Sequence, residues 1–389
     1  MLSHFRVQGF KSLLDVEIEL APLVVLFGPN AAGKSNVLEA LLLLSRLVTE
    51  PTLSAAFEPP MRGYPLEAFS LPPNGLEGLL QQDKAELTLE ASAKPGRRDG
   101  STDTQALTYK VSIRIQPRSG ALEIVDEFLG KPFGKTLLAY IRPKGTPGPA
   151  PRDVVDLLGN QLSAWRTYYL DPRVAMREPQ PPREVSDIGP RGEWIAPFLY
   201  RLKESEAHRK HFLAIGRALR SAIPLIEGLD VDLDPRRGTL DIIIRQEGTP
   251  YSSRVISEGT LRVLALCCIA GNPWPGKLVA FEEPENGVHP RRIEVIANLL
   301  ASMAAQDRVQ VVVTTHSPTL IAAMLQQAKA APEHTRLLRC AQHGGATTIT
   351  PFVATGPLFE DAEIRRALTS PEDDAEVVEA MLLRGWLDG

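Results

Sequence analysis

Cysteine is scarce: the 389 residues hold three, Cys267 beside Cys268 in an apolar run and Cys340 alone. Three thiols at those spacings make neither a disulfide framework nor a set of metal ligands. That excludes a disulfide-stapled secreted domain and leaves all three as reduced, small core residues of a cytosolic protein. Long apolar runs are missing too. None reaches the ~18 residues of a membrane-spanning helix. The N-terminal MLSHFRVQGFKS lacks the basic start and apolar centre of a secretory signal, so no membrane association is expected. No excess of one charge exists either. There are 43 Lys and Arg against 47 Asp and Glu, a net charge of −4. Any contact with nucleic acid must come from a local patch. No internal repeat and no sustained heptad occurs, which argues against a long coiled coil.

What is present is an ordinary globular composition, 43% hydrophobic and 23% charged, long enough for two or three domains or one large α/β domain with an insertion. The 33 prolines exceed the usual ~5% share. They fall mostly in connecting segments, where they stiffen loops without breaking ladders.

Alternation in HFRVQGFKSLLDVEIEL predicts antiparallel strands over 4–8 and 13–20, followed by a buried strand over 23–27 and a helix over 33–48. Residues 50–75, rich in Pro, Gly and Phe, read as a long loop. Period-two alternation over 84–91, 107–116 and 121–128 predicts a meander that extends the first sheet. RPKGTPGPAPR (142–152) and REPQPPR (177–183) read as linkers or lid loops, with helices over 153–164 and 193–221. A hairpin (229–233 and 239–246), a helix (258–271), a buried strand at GKLVAFEE, a helix (291–305) and a buried strand at VQVVVTTH follow. That order of strands and helices predicts a parallel sheet with both faces covered. Residues 142–220 hold 14 Lys and Arg against 9 Asp and Glu, so this stretch is +5 and the remainder −9. A solvated helical face explains the excess; a phosphate-facing patch is the sharper alternative.

Four segments carry chemistry. Gly28-Pro29-Asn30-Ala31-Ala32-Gly33-Lys34-Ser35 fits G-x-x-x-x-G-K-[ST], with a strand before it and a helix after. Polyphosphate needs backbone N–H groups converging at the positive end of a helix. Glycines let the backbone approach the anion. Lys34 can bridge the terminal phosphates, and the Ser35 hydroxyl can ligate Mg²⁺. Glu282 and Glu283 then stand at the C-terminal end of a buried strand, where ligands of parallel sheets collect. One can serve the metal and the other can polarise a water. Glu285, Asn286 and His289 either line that site or cap the next helix. His316 follows the other buried strand and can hydrogen-bond a terminal phosphate. Lastly, Ser257-Glu258-Gly259-Thr260 heads an apolar helix. It is either a capped start or a second anion-receiving turn, which makes sense if it serves the nucleotide of another subunit.

These four elements in this order resemble an ABC-type ATPase head of the SMC, RecF and OLD (overcoming lysogenization defect) group. The SEGT, EEPENGVHP and TTHSP segments are similar to those of OLD-like ATPases of the AAA family without a Toprim nuclease domain. The specific likeness covers about 1–48 and 252–322. It implies an α/β P-loop NTPase with a mixed or parallel core sheet, an antiparallel N-terminal β-subdomain and an inserted helical segment. The lobes expected are 1–140 with the phosphate loop and meander, 141–228 as the insertion, 229–330 with the later motifs, and 331–389 as an extension. It also implies ATP and Mg²⁺ as cofactors. Asn30, Ala31, Ala32, Gly33, Lys34, Ser35 and Asn36 would cradle phosphate, Ser35 and Glu282 would hold the metal, and Glu283 would be the catalytic glutamate. Ser257 and Gly259 would act in trans across an ATP-dependent homodimer, with His316 as the switch histidine. Lys11 and Ser12 align where relatives approach the nucleotide. Walker B ends in Glu282 where many relatives carry Asp, and no Q-loop glutamine stands out in WRTYYLDPRV. PEDDAEVV near the C-terminus is too short for a nuclease domain, so any nuclease partner is expected as a separate chain.

Three functions compete. The first is a DNA-linked ATPase in repair or phage defence, using Arg142, Arg152, Arg166, Arg173, Arg177 and Arg183 on phosphate, with steep salt dependence. The second is a regulatory ATP switch with little turnover. The third is a transport ATPase, disfavoured because Ser257 lies 229 positions after Gly28 (257 − 28) and no LSGGQ is present.

Overall fold

A computed structural model describes residues 1–93, 107–129, 131–132, 162–163, 165–305 and 309–352. The predicted helix over 153–164, Arg142, Arg152 and PEDDAEVV lie wholly or mostly outside them. The described residues divide into two compact units, one within Met1–Trp165 and Pro332–Gly356, the other within Arg166–Ala331.

The first unit begins with β1 (Leu2–Phe10) and β2 (Leu13–Glu19), paired antiparallel. A two-residue turn joins them, with Lys11 at φ 47. Strands β4 (Ala85–Ala93), β5 (Leu107–Gln116), β6 (Ala121–Leu129) and the short β7 (Lys131–Pro132) extend the sheet in the order β2-β1-β4-β5-β6-β7, the meander expected from the alternation. Register explains its core. Val16 faces Val7, Val7 faces Leu89 and Leu89 faces Val111, giving one buried row across four strands. Strand β3 (Leu23–Phe27) is buried at every position, as a strand covered on both faces must be. It pairs parallel with β14 (Thr335–His343), which pairs antiparallel with β15 (Ala346–Phe352). Helix α1 (Lys34–Thr49) follows β3.

Residues 50–75 depart from the expected loop. They hold α2 (Leu53–Ala56) and a 3₁₀ turn at Pro65–Ala68, and α3 (Gly75–Leu80) begins at their end. Buried Phe57 and Phe69 stack with centroids 6.1 Å apart, so the segment packs its own aromatics. Four-residue helices are too short to show a hydrophobic period.

In the second unit, β8 (Trp165–Tyr168) leads to α4 (Ile195–Glu204) and α5 (Arg209–Ala222). The sequence pattern predicted one helix there. The break falls at Ser205, which is extended (φ −84, ψ 117) and whose carbonyl accepts the N–H groups of His208 and Arg209. Strands β9 (Ile226–Asp234), β10 (Thr239–Gln246) and β11 (Thr249–Ser252) form an antiparallel sheet. Helix α6 (Glu258–Ala270) is buried at every residue from Gly259 to Ile269, so it is the central helix of the unit rather than a surface one. Cys267 and Cys268 lie within it as buried free thiols. Strands β12 (Leu278–Glu282) and β13 (Gln310–Thr315) pair parallel, Glu282 opposite Thr314, with α7 (Ile293–Ala304) between them and α8 (Pro318–Ala330) after. Tyr168 stacks on Phe281 at 5.5 Å. Among the described residues no helix is long and apolar enough to cross a membrane.

Candidate functional site

The phosphate loop lies in the first unit, between β3 and α1, with its conformation set by close neighbours. Gly28 has φ 150, and a Cβ there would stand 2.1 Å from the Cys340 carbonyl oxygen on β14. Gly33 has φ 87, and its Cβ would meet the Thr347 hydroxyl at 2.0 Å and the Ser12 hydroxyl at 2.9 Å. Both positions therefore demand glycine on two counts, backbone conformation and space. Ala31 also takes a left-handed conformation (φ 65), and Asn30 and Ala31 are exposed while Ala32 is buried. Lys34 is 6% exposed and its Nζ donates to the carbonyls of Gly28 and Pro29, 2.7 Å each. The first turn of α1 carries no acidic residue. A buried ammonium and the positive end of a four-turn helix thus meet at one loop, and that donor set fits a polyanion. Burial pushes the Cys340 thiol behind the loop up to about 12.

The hairpin turn of β1 and β2 supports the loop from the side. Ser12 Oγ accepts from Asn36 Nδ2 at 2.7 Å and lies 2.7 Å from Thr347 Oγ1, which donates to the Ala32 carbonyl at 3.2 Å. The Thr347 N–H donates to the Ser12 carbonyl at 2.8 Å. Ser12, Gly33, Asn36 and Thr347 are thus one cluster. Thr347 carried no signal in the sequence; it reaches the loop only because β14 and β15 fold back beside β3. Lys11 is placed differently from Ser12. Its ammonium pairs with the buried Glu39 of α1 and donates to the Arg62 carbonyl at 3.3 Å.

The acidic pair, His316 and the serine–glycine turn lie in the second unit. Glu282 ends β12 and is half-buried. Glu283 leaves the strand at φ 46, a conformation costly for any residue but glycine. Its N–H donates to the Thr314 carbonyl at 3.0 Å. Its carboxylate is held at both oxygens, by His316 Nδ1 at 2.8 Å and Asn286 Nδ2 at 2.6 Å. Glu283, Asn286 and His316 are therefore one constellation, and Asn286 belongs to it rather than to a helix cap. His289 caps instead: its ring accepts the Arg291 N–H at 3.3 Å. Glu285 is 5% exposed and accepts the Thr315 hydroxyl. Burial, more than any neighbour, pushes its carboxyl above the ordinary range.

Ser257 is the N-cap of α6, its Oγ accepting the Thr260 N–H at 3.2 Å. A Cβ on Gly259 would stand 3.0 Å from the Gly287 carbonyl oxygen and 3.4 Å from Val288 Cα, so the helix start presses against the loop that follows β12. Four of the six arginines considered for phosphate contact are described, and each has an internal partner. Arg166 pairs with Asp187 at 3.2 Å, Arg173 with Glu258 at 3.0 Å, and Arg183 lies over the Trp194 ring at 5.7 Å. Arg177 donates to four backbone carbonyls. These four arginines are thus engaged within the chain, whereas Arg209, Lys210, Arg217 and Arg220 of α5 are exposed.

Residues 23–322 match the family described as "AAA domain, putative AbiEii toxin, Type IV TA system". The chain is similar to a solved SMC head bound to the C-terminal winged-helix domain of ScpA (15% identity, 90% of this chain and 97% of that chain, TM-score 0.56). It is similar also to the Pyrococcus furiosus SMC head with an extended coiled coil, bound to the C-terminal domain of ScpA (14%, 94% and 99%, 0.53), and to a Pyrococcus yayanosii SMC head with coiled coil and joint (11%, 98% and 99%, 0.51). At those identities the likeness is one of fold: an α/β P-loop NTPase of the ABC-type head class. No curated protein matches the sequence.

Proposed function

Because the chain belongs to this AAA domain family, we propose that it binds ATP with Mg²⁺ and hydrolyses it to ADP and phosphate. The observation that carries hydrolysis, beyond binding, is the Glu283 carboxylate held at a strand end by His316 and Asn286. A carboxylate fixed at both oxygens keeps one orientation, which is what accepting a proton from an attacking water requires. Lys34 neutralises the phosphate chain, and the N–H groups of Asn30 to Asn36 bind its oxygens. Ser35 and Glu282 would hold the Mg²⁺, whose charge supports the leaving phosphate oxygens. His316 steadies Glu283 and, as the switch histidine, would report loss of the terminal phosphate.

Within that reading, Ser257 and Gly259 serve the nucleotide of a second copy, so two chains close on ATP as a homodimer. The motifs favour an OLD-like ATPase that works in the cytoplasm with DNA or with a separate nuclease chain, in repair or phage defence. The DNA part rests on the motif resemblance, since Arg166, Arg173, Arg177 and Arg183 are engaged within the chain.

Phosphate release by the purified chain tests the proposal. Glu283→Gln should lower turnover by at least about a hundredfold, leave ATP binding intact and accumulate a dimer in ATP. A variant that turns over like the unmodified chain would refute the role of Glu283. Negligible turnover in the unmodified chain, with ATP-dependent dimers, would favour the regulatory switch.

A further inference from the structure

Arg177 makes an unusual set of bonds for a half-buried guanidinium. Its Nε donates to the Pro172 carbonyl at 2.8 Å. Its Nη1 donates to the carbonyls of Ser253 (2.8 Å) and Arg254 (2.6 Å), and its Nη2 to that of Ile256 (2.6 Å). Three of the four acceptors lie in the four residues before Ser257. Two further arginine contacts tie residues 170–173 to α6. Arg262, inside the helix, donates to the Leu170 carbonyl at 3.2 Å, and Arg173 pairs with Glu258 through both carboxylate oxygens, at 3.0 and 3.1 Å. The Leu240 N–H on β10 donates to the Gln180 carbonyl at 2.8 Å and anchors the far end. Residues 170–180 therefore form a strap across the start of α6.

The peptide plane converts this strap into an orientation. In a trans peptide the C=O and the following N–H point in opposite directions. When Nη2 of Arg177 captures the Ile256 carbonyl, the Ser257 N–H must face the opposite side. The planar guanidinium spans three carbonyls at fixed angles, which a lysine ammonium cannot do. It also places a positive charge behind a turn whose other face carries N–H groups.

We infer that Arg177 is the positioning residue of the Ser257–Gly259 turn: it fixes the peptide planes that present this turn to the nucleotide of a second copy. The inference rests on the in-trans reading of that turn, and its test separates the two.

Hydrogen exchange on the full chain without nucleotide reads the turn directly. In Arg177→Ala and in the milder Arg177→Lys, amides of 253–261 should exchange about tenfold faster or more, while those of β3 and α1 stay unchanged. Turnover should fall by about tenfold or more with the Kd for a fluorescent ATP analogue within about twofold of the unmodified chain. Mixing Arg177→Ala with Lys34→Ala chains should restore part of the turnover. A mixed pair keeps one nucleotide served by an intact loop and an intact turn, and a misfolded chain could not supply that. Unchanged exchange at 253–261 in both variants would overturn the brace. Fast exchange with no turnover in the unmodified chain would sustain the brace and remove the ATPase reading. Fast exchange with no recovery on mixing, where both chains hold their fold, would overturn service in trans.

Discussion

At the scale of single residues, the phosphate loop is held by contacts that leave no room for one methyl group. Gly33 adopts φ 87 with the Thr347 and Ser12 hydroxyls where a Cβ would go. Gly33→Ala must move Thr347, which already bonds Ser12 and the Ala32 carbonyl. Left-handed strain and a displaced hydroxyl act together here. The variant should melt several degrees lower, on the order of 5 °C, and bind nucleotide poorly. Differential scanning fluorimetry with and without ATP checks both effects, and a normal melting curve would show that the loop relaxes at little cost. Gly28 is less forgiving, because the Cβ would meet a strand carbonyl rather than a movable side chain.

At the scale of elements, the loop after β12 and the end of β13 are tied twice, by Glu283 to His316 and by Glu285 to Thr315. The second tie is buried, and burial raises the Glu285 carboxyl above its ordinary 4.5. The native state therefore holds this proton more tightly than the unfolded chain does. Its stabilising effect is full below the ordinary value and is lost as pH rises through the raised one. Glu285→Gln, which keeps an acceptor for Thr315, should flatten that part of the stability–pH curve. Urea unfolding at pH 5 and pH 8 measures it, and an identical pH slope in both proteins would contradict the assignment.

Elements also show what was legible in the sequence. β3, β12 and β13 are short strands with apolar centres, and β4 and β5 of the meander alternate in burial, so both patterns were readable. β14 and β15 were not. Their burial alternates weakly, and β3, the parallel partner of β14, lies some three hundred residues earlier in the chain. The same distance hid Thr347. The phosphate loop, Glu283 and His316 stood out because local spacing marks them. The Arg177 strap did not, since a guanidinium bonded to backbone carbonyls leaves no pattern of side-chain types.

At the scale of the whole molecule, the residues proposed for nucleotide chemistry divide between the two compact units. The first holds the phosphate loop and its ammonium. The second holds the acidic strand end, the histidine and the turn proposed to act in trans. The most direct test is calorimetric titration of the full chain with Mg²⁺ and a non-hydrolysable ATP analogue, beside Lys34→Ala. The unmodified chain should bind saturably. The variant, stripped of the ammonium at the phosphate chain, should bind at least about a hundredfold more weakly. Equal affinity in the two proteins, or no binding in either, would contradict the account.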